Sequence, residues 1–395
     1  MATVLLTWEL GGGLGHLVDL APLAKGLRES GHRVFAALRD LSRAETLFAG
    51  TGVSYLQAPI KTRRHEDRFD PPRTFPHILH NSGFGTANEL RTMTEAWRNL
   101  YDYVRPDLIV FDHSPTALLA ARGNDARRSL LGTGFYCPLD EYPLPDLRPW
   151  LPDDAGRLRR NEDSVLENAN RVLDDLGQSP LERIAQLYYQ VDEHFLVTFR
   201  ELDNYPGRQG AEYWGAWPNV GGKAPVWPEG EGKKIYAYLK SFAGLPRLLA
   251  LLNELRCPTV VYVDGITTKV QERFRSPTLR FENERLDLQQ VGRECDLAIL
   301  NGNHGTTVSM LLAGKPTLQL PMYLEQAMFS AAVGRIGAGL TAAPVKPEQI
   351  AIRLMRLLND RRYAEAARRF AANYGDFDPQ RQIERMLERV EELLK

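Results

Sequence analysis

Residues 301–316 read NGNHGTTVSMLLAGKP and lie between two apolar stretches, LAIL at 297–300 and PTLQLP at 316–321. The apolar stretches are typical of short buried strands, and the segment between them passes from small hydrogen-bonding residues into an apolar helix. The first turn of such a helix carries unpaired backbone N–H groups and a partial positive charge of about half a unit. The pattern therefore predicts a loop and helix start that bind phosphate groups.

The same alternation of short apolar stretches and helical patterns extends outward along the whole chain. The strand candidates in the first half are TVLLTW, RVFAAL, VSYLQA, DLIVFD, SLLGT and HFLVTF, and those in the second half are KIYAYL, TVVYVDG, TLRF, LAIL and PTLQLP. Strands that alternate with helices favour right-handed βαβ units and parallel sheets covered on both faces. We therefore predict an α/β protein with two doubly wound domains.

A segment rich in proline and glycine at 214–234 marks the boundary between these domains. We expect an N-terminal domain at 1–217, a linker at 218–232 and a C-terminal domain at 233–375. The last segment, 376–395, has the pattern of an amphipathic helix. Two domains of ~200 residues suit a chain of 395 residues.

The composition excludes several classes of protein. The formal net charge of −1 gives no reason to expect a nucleic-acid partner. The three cysteines have no metal-ligand spacing, and no apolar run approaches the ~20 residues of a membrane helix. A D-x-D pair at Asp376 and Asp378 is explained more simply by helix capping. We expect a soluble, cytoplasmic protein without a metal, as a monomer or dimer.

Two glycine-rich turns are candidate ligand sites, because ligands of open α/β sheets bind where strands end and helices begin. In the second turn, Gly305 permits close approach, while Thr306, Thr307 and His304 offer donors. Polar residues that merely cap the helix are the alternative there.

The first turn, WELGGGLGHLVDLAPLAKGL, lacks the dinucleotide fingerprint because His16 stands where a third glycine is required. A histidine at this turn faces the ligand side of the sheet, although a helix-capping histidine is the alternative.

The chain resembles the nucleotide-sugar glycosyltransferases of the GT-B fold, in particular the inverting UDP-glycosyltransferase family and, more distantly, the MurG-like enzymes. Its stretches GGLGHLVDLAPLAKGLRESGHRV and RPDLIVFDHSPTALLAAR are similar to the family's GHxxPxxxLAxxLxxxGHxV and PDxvvxD patterns. The family's donor region reads H-G-G-x-G-T, then AAGVP, then D-Q. The matching positions here are Gly302, Gly305, Thr306, Gly314, Pro316, Pro321 and Gln326, with Glu325 in place of aspartate.

This resemblance implies two Rossmann-like domains that face each other across a cleft, with the last helix crossing back to the first domain. The first domain would bind the acceptor and the second the nucleotide sugar. His16 would be the general base and Asp112 its orienting carboxylate. The implied donor-binding residues are Gly13, Gly15, Ser241, Phe281, Asn303, His304, Gly305, Thr306, Thr307, Ser309, Glu325 and Gln326.

The implied reaction moves a sugar from a UDP or dTDP donor to a hydroxyl of a small or lipophilic acceptor, with inversion and without a further cofactor. An irregular segment at 60–88 would help to form the acceptor cleft, with a mobile surface excursion as the alternative. Its aromatic wall, or simply core packing, would comprise Phe69, Phe75, Phe84, Trp97, Phe135 and Tyr136. His113 is a rival base, but the residue after Asp112 along a strand is expected to face away.

Besides Glu325, four positions depart from the family pattern. Asn301 replaces the motif histidine, Asn303 a glycine and Phe329 an asparagine. Ser309 replaces the glutamate that holds the ribose hydroxyls in relatives, and a serine can bond only one of them. Two alternatives therefore stay open: a nucleotide-sugar hydrolase or epimerase on the same fold, and a non-catalytic nucleotide-sugar-binding homologue.

Overall fold

The computed structural model describes residues 1–12, 15–63, 66–152, 154–217 and 221–395, apart from the side chains at 43 and 46. The chain divides into two compact units. The first comprises Met1–Thr198, Gly207–Gly215 and Gln380–Lys395, and the second comprises Phe199–Pro206 and Ala216–Pro379.

The first unit is built on a six-stranded parallel sheet of order β3-β2-β1-β4-β5-β6. Its strands are β1 (Thr3–Trp8), β2 (Arg33–Leu38), β3 (Ser54–Gln57), β4 (Leu108–Asp112), β5 (Arg127–Gly132) and β6 (Glu193–Leu196). Its helices are α1 (Gly15–Glu29), α2 (Ala44–Phe48), α3 (Phe75–Leu79), α4 (Ala87–Val104), α5 (Pro115–Ala120), α6 (Ala155–Asp175), α7 (Gln186–Tyr189) and the last helix of the chain, α15 (Pro379–Leu393).

The second unit repeats the same strand order, β12-β11-β10-β7-β8-β9. Its strands are β7 (Ile235–Lys240), β8 (Thr259–Asp264), β9 (Leu279–Glu282), β10 (Leu297–Leu300), β11 (Thr317–Gln319) and β12 (Gly339–Thr341). Its helices are α8 (Leu245–Leu255), α9 (Thr268–Phe274), α10 (Leu288–Glu294), α11 (His304–Leu312), α12 (Leu324–Arg335), α13 (Pro347–Asn359) and α14 (Arg361–Asn373). The predicted α/β class with two doubly wound parallel sheets is confirmed.

Each sheet is buried on both faces, as the apolar strand sequences require. All six residues of β1 are buried, and so are all four of β10. In the first unit, side chains such as Trp97 and Tyr101 of α4 pack into a core that also contains Ile109 and Phe111 of β4.

The boundary between the units differs from the one expected at residue 217. Phe199–Pro206 groups with the second unit, although the chain returns to the first unit at Gly207. The reason is packing, because the ring of Phe199 lies 5.6 Å from that of Phe370 and 4.3 Å from that of Tyr374.

The segment at 60–88 is less irregular than expected. It contains α3, whose first turn is capped by the side chain of Thr74, and a π-helical turn at His80–Phe84. Among the described helices, none has the length and apolar character needed to cross a bilayer.

Candidate active site

The two strands at the centre of the first sheet place the sequence-predicted pair His16 and Asp112. Strands β1 and β4 are neighbours, with Trp8 opposite Asp112. The connection after β1 leads to β2 on one side, while β4 continues to β5 on the other. The loops after these two strands diverge at this switch point and leave a crevice for a ligand. His16 lies in the first turn of α1, and Asp112 is the last residue of β4.

His16 and Asp112 form a buried hydrogen-bonded pair. The Nδ1 atom of His16 lies 3.0 and 2.9 Å from the two carboxylate oxygens of Asp112. His16 is 5% exposed and Asp112 is 1% exposed. A carboxylate can only accept, so Nδ1 carries the hydrogen and the neutral ring has its lone pair on Nε2. The arrangement can take a proton at Nε2 and stabilise the resulting cation.

The turn after β1 packs tightly around the imidazole. The indole of Trp8 stacks on the ring of His16, with centroids 5.2 Å apart, and its Nε1 donates to the Leu10 carbonyl at 2.7 Å. Gly11 has φ 84°, and a Cβ there would lie 2.3 Å from His16 Nε2. Only glycine fits at this position while the ring keeps its place.

His113 does not face away from His16, contrary to the expectation for the next residue of a strand. Its φ of 46° leaves strand geometry and turns the side chain back toward the pair. The rings of His113 and His16 are 6.2 Å apart. Desolvation by burial, with the nearby His16 as a lesser cause, holds the pKa of His113 well below its usual value. A neutral His113 is thus a second imidazole beside the candidate base.

Glu9 is a buried carboxylate that sequence reasoning missed. Its Oε2 accepts hydrogen bonds from the backbone N–H groups of Thr116 at 3.0 Å and Ala117 at 3.4 Å. Burial raises the pKa of Glu9 to about 8. The backbone N–H of Leu10 also donates to the carbonyl of His113. These bonds fasten the turn that surrounds His16 to the segment that follows Asp112.

Of the two glycines predicted to bind the donor in the first loop, only Gly15 can be compared with the structure. Gly13 lies outside the described residues. Gly15 is exposed and begins α1, and a Cβ there would meet nothing within 4 Å.

The six aromatic residues expected in an acceptor wall have three different surroundings. Phe135 forms edge-on contacts with Phe75 and with Tyr136, and all three rings lie around His113. Phe84 and Trp97 are completely buried in the hydrophobic core of the unit, to which Phe75 also belongs. Phe69 stacks on His77 at 3.9 Å, away from this cluster.

The second sheet has the same kind of switch point between β7 and β10, and Asn301 lies there. Its Oδ1 accepts from the backbone N–H of Lys240 at 2.6 Å, and its Nδ2 donates to the Leu320 carbonyl at 2.8 Å. Asn301 is completely buried. Asn301, which stands where the family pattern has a histidine, therefore connects the ends of β7, β10 and β11 through its hydrogen bonds.

The start of α11 has the features of an anion site. Its N-cap, Asn303, makes no side-chain capping hydrogen bond, because its Oδ1 accepts from Gln326 Nε2 at 2.9 Å. Gly305 is exposed in the first turn. The alternative of a helix merely capped by Asn303 is therefore not what the structure shows. The Asn303 side chain thus does not cap the first backbone N–H groups of α11, and such groups at a helix start are favourable positions for an anion.

Several side chains predicted to bind the nucleotide sugar form hydrogen bonds within the protein. Thr307 is completely buried and accepts from Gln319 Nε2 at 3.3 Å. The hydroxyl of Ser309 donates to the Gly305 carbonyl at 2.8 Å. Gln326 uses its amide oxygen as well, since that oxygen accepts from the Met322 N–H at 2.8 Å. These side chains support the loops instead of projecting freely toward a ligand.

The remaining predicted donor residues lie around the same edge of the sheet. His304 is half-buried beside Phe329, and desolvation lowers its pKa to about 4. Ser241 is exposed after β7, and Phe281 packs in the core of the unit. Thr306 is buried and Glu325 is half-buried.

No protein-family model matches the chain. The PGL/p-HBAD biosynthesis rhamnosyltransferase of Mycobacterium bovis (strain BCG / Pasteur 1173P2) is 26% identical over 379 residues, which cover 87% of this chain and 81% of that protein. The spinosyn rhamnosyltransferase SpnG matches with a TM-score of 0.70 at 19% identity, over 98% of this chain and 100% of that one. The glycosyltransferase VinC, solved in complex with dTDP, matches with a TM-score of 0.62 at 17% identity, over 98% and 100% of the two chains.

The solved structures share the fold of this chain, and the sequence relative is named a glycosyltransferase and is similar over most of its length. The resemblance that the glycine-rich turns predicted is thereby confirmed. The chain is a glycosyltransferase of the GT-B fold, similar to the UDP-glycosyltransferase family.

Proposed function

We propose that this glycosyltransferase moves a sugar from a nucleoside-diphosphate donor to an acceptor hydroxyl with inversion, and that His16 is the general base. The observation that carries this proposal is the buried contact of 2.9 Å between His16 Nδ1 and Asp112. That contact fixes the tautomer with a lone pair on Nε2, which is what a base requires.

In the proposed step, the acceptor O–H bond breaks and its proton goes to His16 Nε2. The acceptor oxygen forms a bond to the anomeric carbon from the face opposite the diphosphate. The bond from that carbon to the phosphate oxygen breaks, and the electron pair leaves with the nucleoside diphosphate. Backbone N–H groups at the start of α11 would stabilise the charge that collects on the diphosphate.

We infer that the donor nucleotide is dTDP more readily than UDP. The position where relatives carry a ribose-binding glutamate is Ser309, whose hydroxyl already donates to the Gly305 carbonyl at 2.8 Å. A 2′-deoxyribose has one hydroxyl fewer to satisfy. Rhamnose is the first sugar to test, because the M. bovis relative and SpnG are both named rhamnosyltransferases.

The proposed acceptor is a small or lipophilic molecule with a hydroxyl. The support is the aromatic cluster of Phe75, Phe135 and Tyr136 beside His113 in the same unit as His16. Metal-independent transfer is part of the proposal, since backbone amides would take the place of a cation at the diphosphate. Transfer measured in EDTA should equal transfer measured with added Mg²⁺ or Mn²⁺.

Two measurements test the proposal. Calorimetry with dTDP, UDP and GDP should give the tightest binding for dTDP. Transfer from dTDP-rhamnose to a panel of phenols and aliphatic alcohols, followed by mass spectrometry, should give a product that His16→Ala reduces by ~10²–10⁴-fold.

His16→Ala should leave the dissociation constant of dTDP unchanged. Undiminished transfer by this variant would remove His16 as the base. Release of free sugar with no acceptor product would instead favour the nucleotide-sugar hydrolase.

A further inference from the structure

Tyr136 lies beside Nε2 of His16, the ring nitrogen that does not contact Asp112. Its hydroxyl oxygen is 3.5 Å from His16 Nε2, and the two ring centroids are 5.0 Å apart. An ordinary hydrogen bond between such atoms measures roughly 2.7–3.0 Å, so this contact is long and weak. Since Nδ1 donates to Asp112, Nε2 is the acceptor, and the Tyr136 hydroxyl is the donor.

The surroundings of Tyr136 hold its ring in place. The residue is 8% exposed, and its ring packs at 4.2 Å from that of His113. A Cβ at Gly132, the last residue of β5, would come within 3.2 Å of the Tyr136 ring. The absence of a side chain at Gly132 therefore makes room for the tyrosine beside the strand.

We propose that Tyr136 is a second catalytic residue, which binds the acceptor oxygen while His16 removes the proton from it. This inference rests on the proposed function of His16 as the base. The separation of 3.5 Å is short enough for one oxygen to lie within hydrogen-bond distance of both Nε2 and the phenol. An acceptor hydroxyl at that point replaces the long resting contact with two shorter ones.

The roles of His16 and Tyr136 follow from which of their atoms carries a hydrogen. The acceptor hydroxyl donates to Nε2 and loses its proton there. The phenol of Tyr136 donates to a second lone pair of the same oxygen and keeps its own proton throughout. The lone pair left by the proton accepts from the protonated Nε2, and the remaining lone pair of the oxygen, which faces neither side chain, attacks the sugar. Tyr136 thus orients the acceptor oxygen through a hydrogen bond and remains uncharged.

The test compares Tyr136→Phe, which removes one oxygen and keeps the ring, with Tyr101→Phe as the matched control. Tyr101 is also a buried tyrosine of the first unit, and its hydroxyl donates to the Ala117 carbonyl at 2.6 Å. Long-range ¹H–¹⁵N spectra of the histidine side chains report Nε2 of His16 directly, without an acceptor. Transfer to the best phenol or alcohol of the panel reports catalysis.

We expect Tyr136→Phe to move the Nε2 resonance of His16 and to lower kcat/KM for the acceptor about tenfold, the size of one hydrogen bond. The dissociation constant of dTDP should stay the same, and Tyr101→Phe should change neither the resonance nor kcat/KM. An unmoved Nε2 resonance, or unchanged transfer by Tyr136→Phe, would overturn the inference. If His16→Ala also retains transfer, the proposed base itself fails, which is a separate and distinguishable result.

Discussion

The side-chain amide of Gln326 donates a hydrogen bond of 2.9 Å to Oδ1 of Asn303, 23 residues earlier in the chain. Asn303 is the N-cap of α11, where an asparagine side chain ordinarily accepts from the first N–H groups of the helix. Here the oxygen accepts from Gln326 and makes no capping bond. Under the proposed function, this orientation stops Asn303 from competing with the diphosphate for the first N–H groups of α11.

Replacing Gln326 with Ala should release Asn303 to cap its own helix and so compete with the ligand. We expect the affinity for dTDP, measured by calorimetry, to fall about tenfold, the effect of one helix cap. The double variant Gln326→Ala, Asn303→Gly should recover much of that affinity, because glycine offers no competing oxygen. Equal weakening in the single and double variants would contradict this explanation.

Asn301 should matter for the stability of the second unit. Asn301→Ala leaves the backbone N–H of Lys240 and the carbonyl of Leu320 without their side-chain partner. We expect a loss of about 2–4 kcal/mol in the free energy of unfolding, measured by urea denaturation.

Asn359→Ala is the control for this variant, since Asn359 donates only to the Met355 carbonyl on an exposed helix face. Its effect should stay within about 0.5 kcal/mol. Similar losses of unfolding free energy in the two variants would show that the buried hydrogen bonds of Asn301 stabilise the protein no more than an exposed one.

Glu9 should make the protein less stable as the pH rises. Burial raises its pKa from the ordinary 4.5 to about 8 in the folded state. Between these values the folded protein holds a proton that the unfolded chain releases, so stability is greatest below pH 4.5 and declines toward pH 8. Glu9→Gln keeps an oxygen for the Thr116 N–H and removes the titration.

The difference in unfolding free energy between wild type and Glu9→Gln, followed from pH 5 to pH 8, isolates this effect from other groups. Such groups include His77 and His304, whose pKa values are lowered to about 4 by desolvation and which act in the opposite direction. We expect wild type to lose up to a few kcal/mol relative to the variant over this range. Parallel curves would show that Glu9 titrates normally.

Gly11→Ala should abolish transfer while leaving the nucleotide site intact. The new Cβ would lie 2.3 Å from His16 Nε2, and the φ of 84° is unfavourable for alanine, so the imidazole must move. A displacement of this size at a base should cost ~10²-fold or more in kcat/KM.

The neighbouring glycine provides a matched control, because a Cβ at Gly12 would meet nothing within 4 Å. Gly12→Ala should retain transfer, and both variants should bind dTDP like wild type. Full activity in Gly11→Ala would show that the ring position is not critical.

Much of the fold could be predicted from the sequence, because buried parallel strands leave continuous apolar stretches. TVLLTW and RVFAAL coincide with β1 and β2 residue for residue. The short edge strand β12 (Gly339–Thr341) was missed, since three residues of mixed character carry no periodic signal. The sequence pattern predicts a helix at Asp163–Leu176, whereas α6 begins at Ala155, because its first turns are charged and lack an apolar stripe.

The candidate site was predictable in its location and less so in its contacts. Family motifs placed His16 and Asp112 at neighbouring strand ends, and the structure brings them to 2.9 Å. The sequence could not show that Thr307 and Gln326 form internal hydrogen bonds. The hydrogen-bond partners of a buried polar side chain are often residues distant in the chain. Nor could the sequence show the left-handed backbone that turns His113 toward His16.

The position of the last helix has a consequence for the order in which the protein matures. Residues Gln380–Lys395 belong to the first unit, so the entire second unit is inserted between parts of the first. Leu387 of α15 packs against Gly26, and His32 contacts Glu391 at 2.7 Å. During synthesis the whole of the second unit therefore emerges from the ribosome before α15, the helix that completes the unit carrying His16.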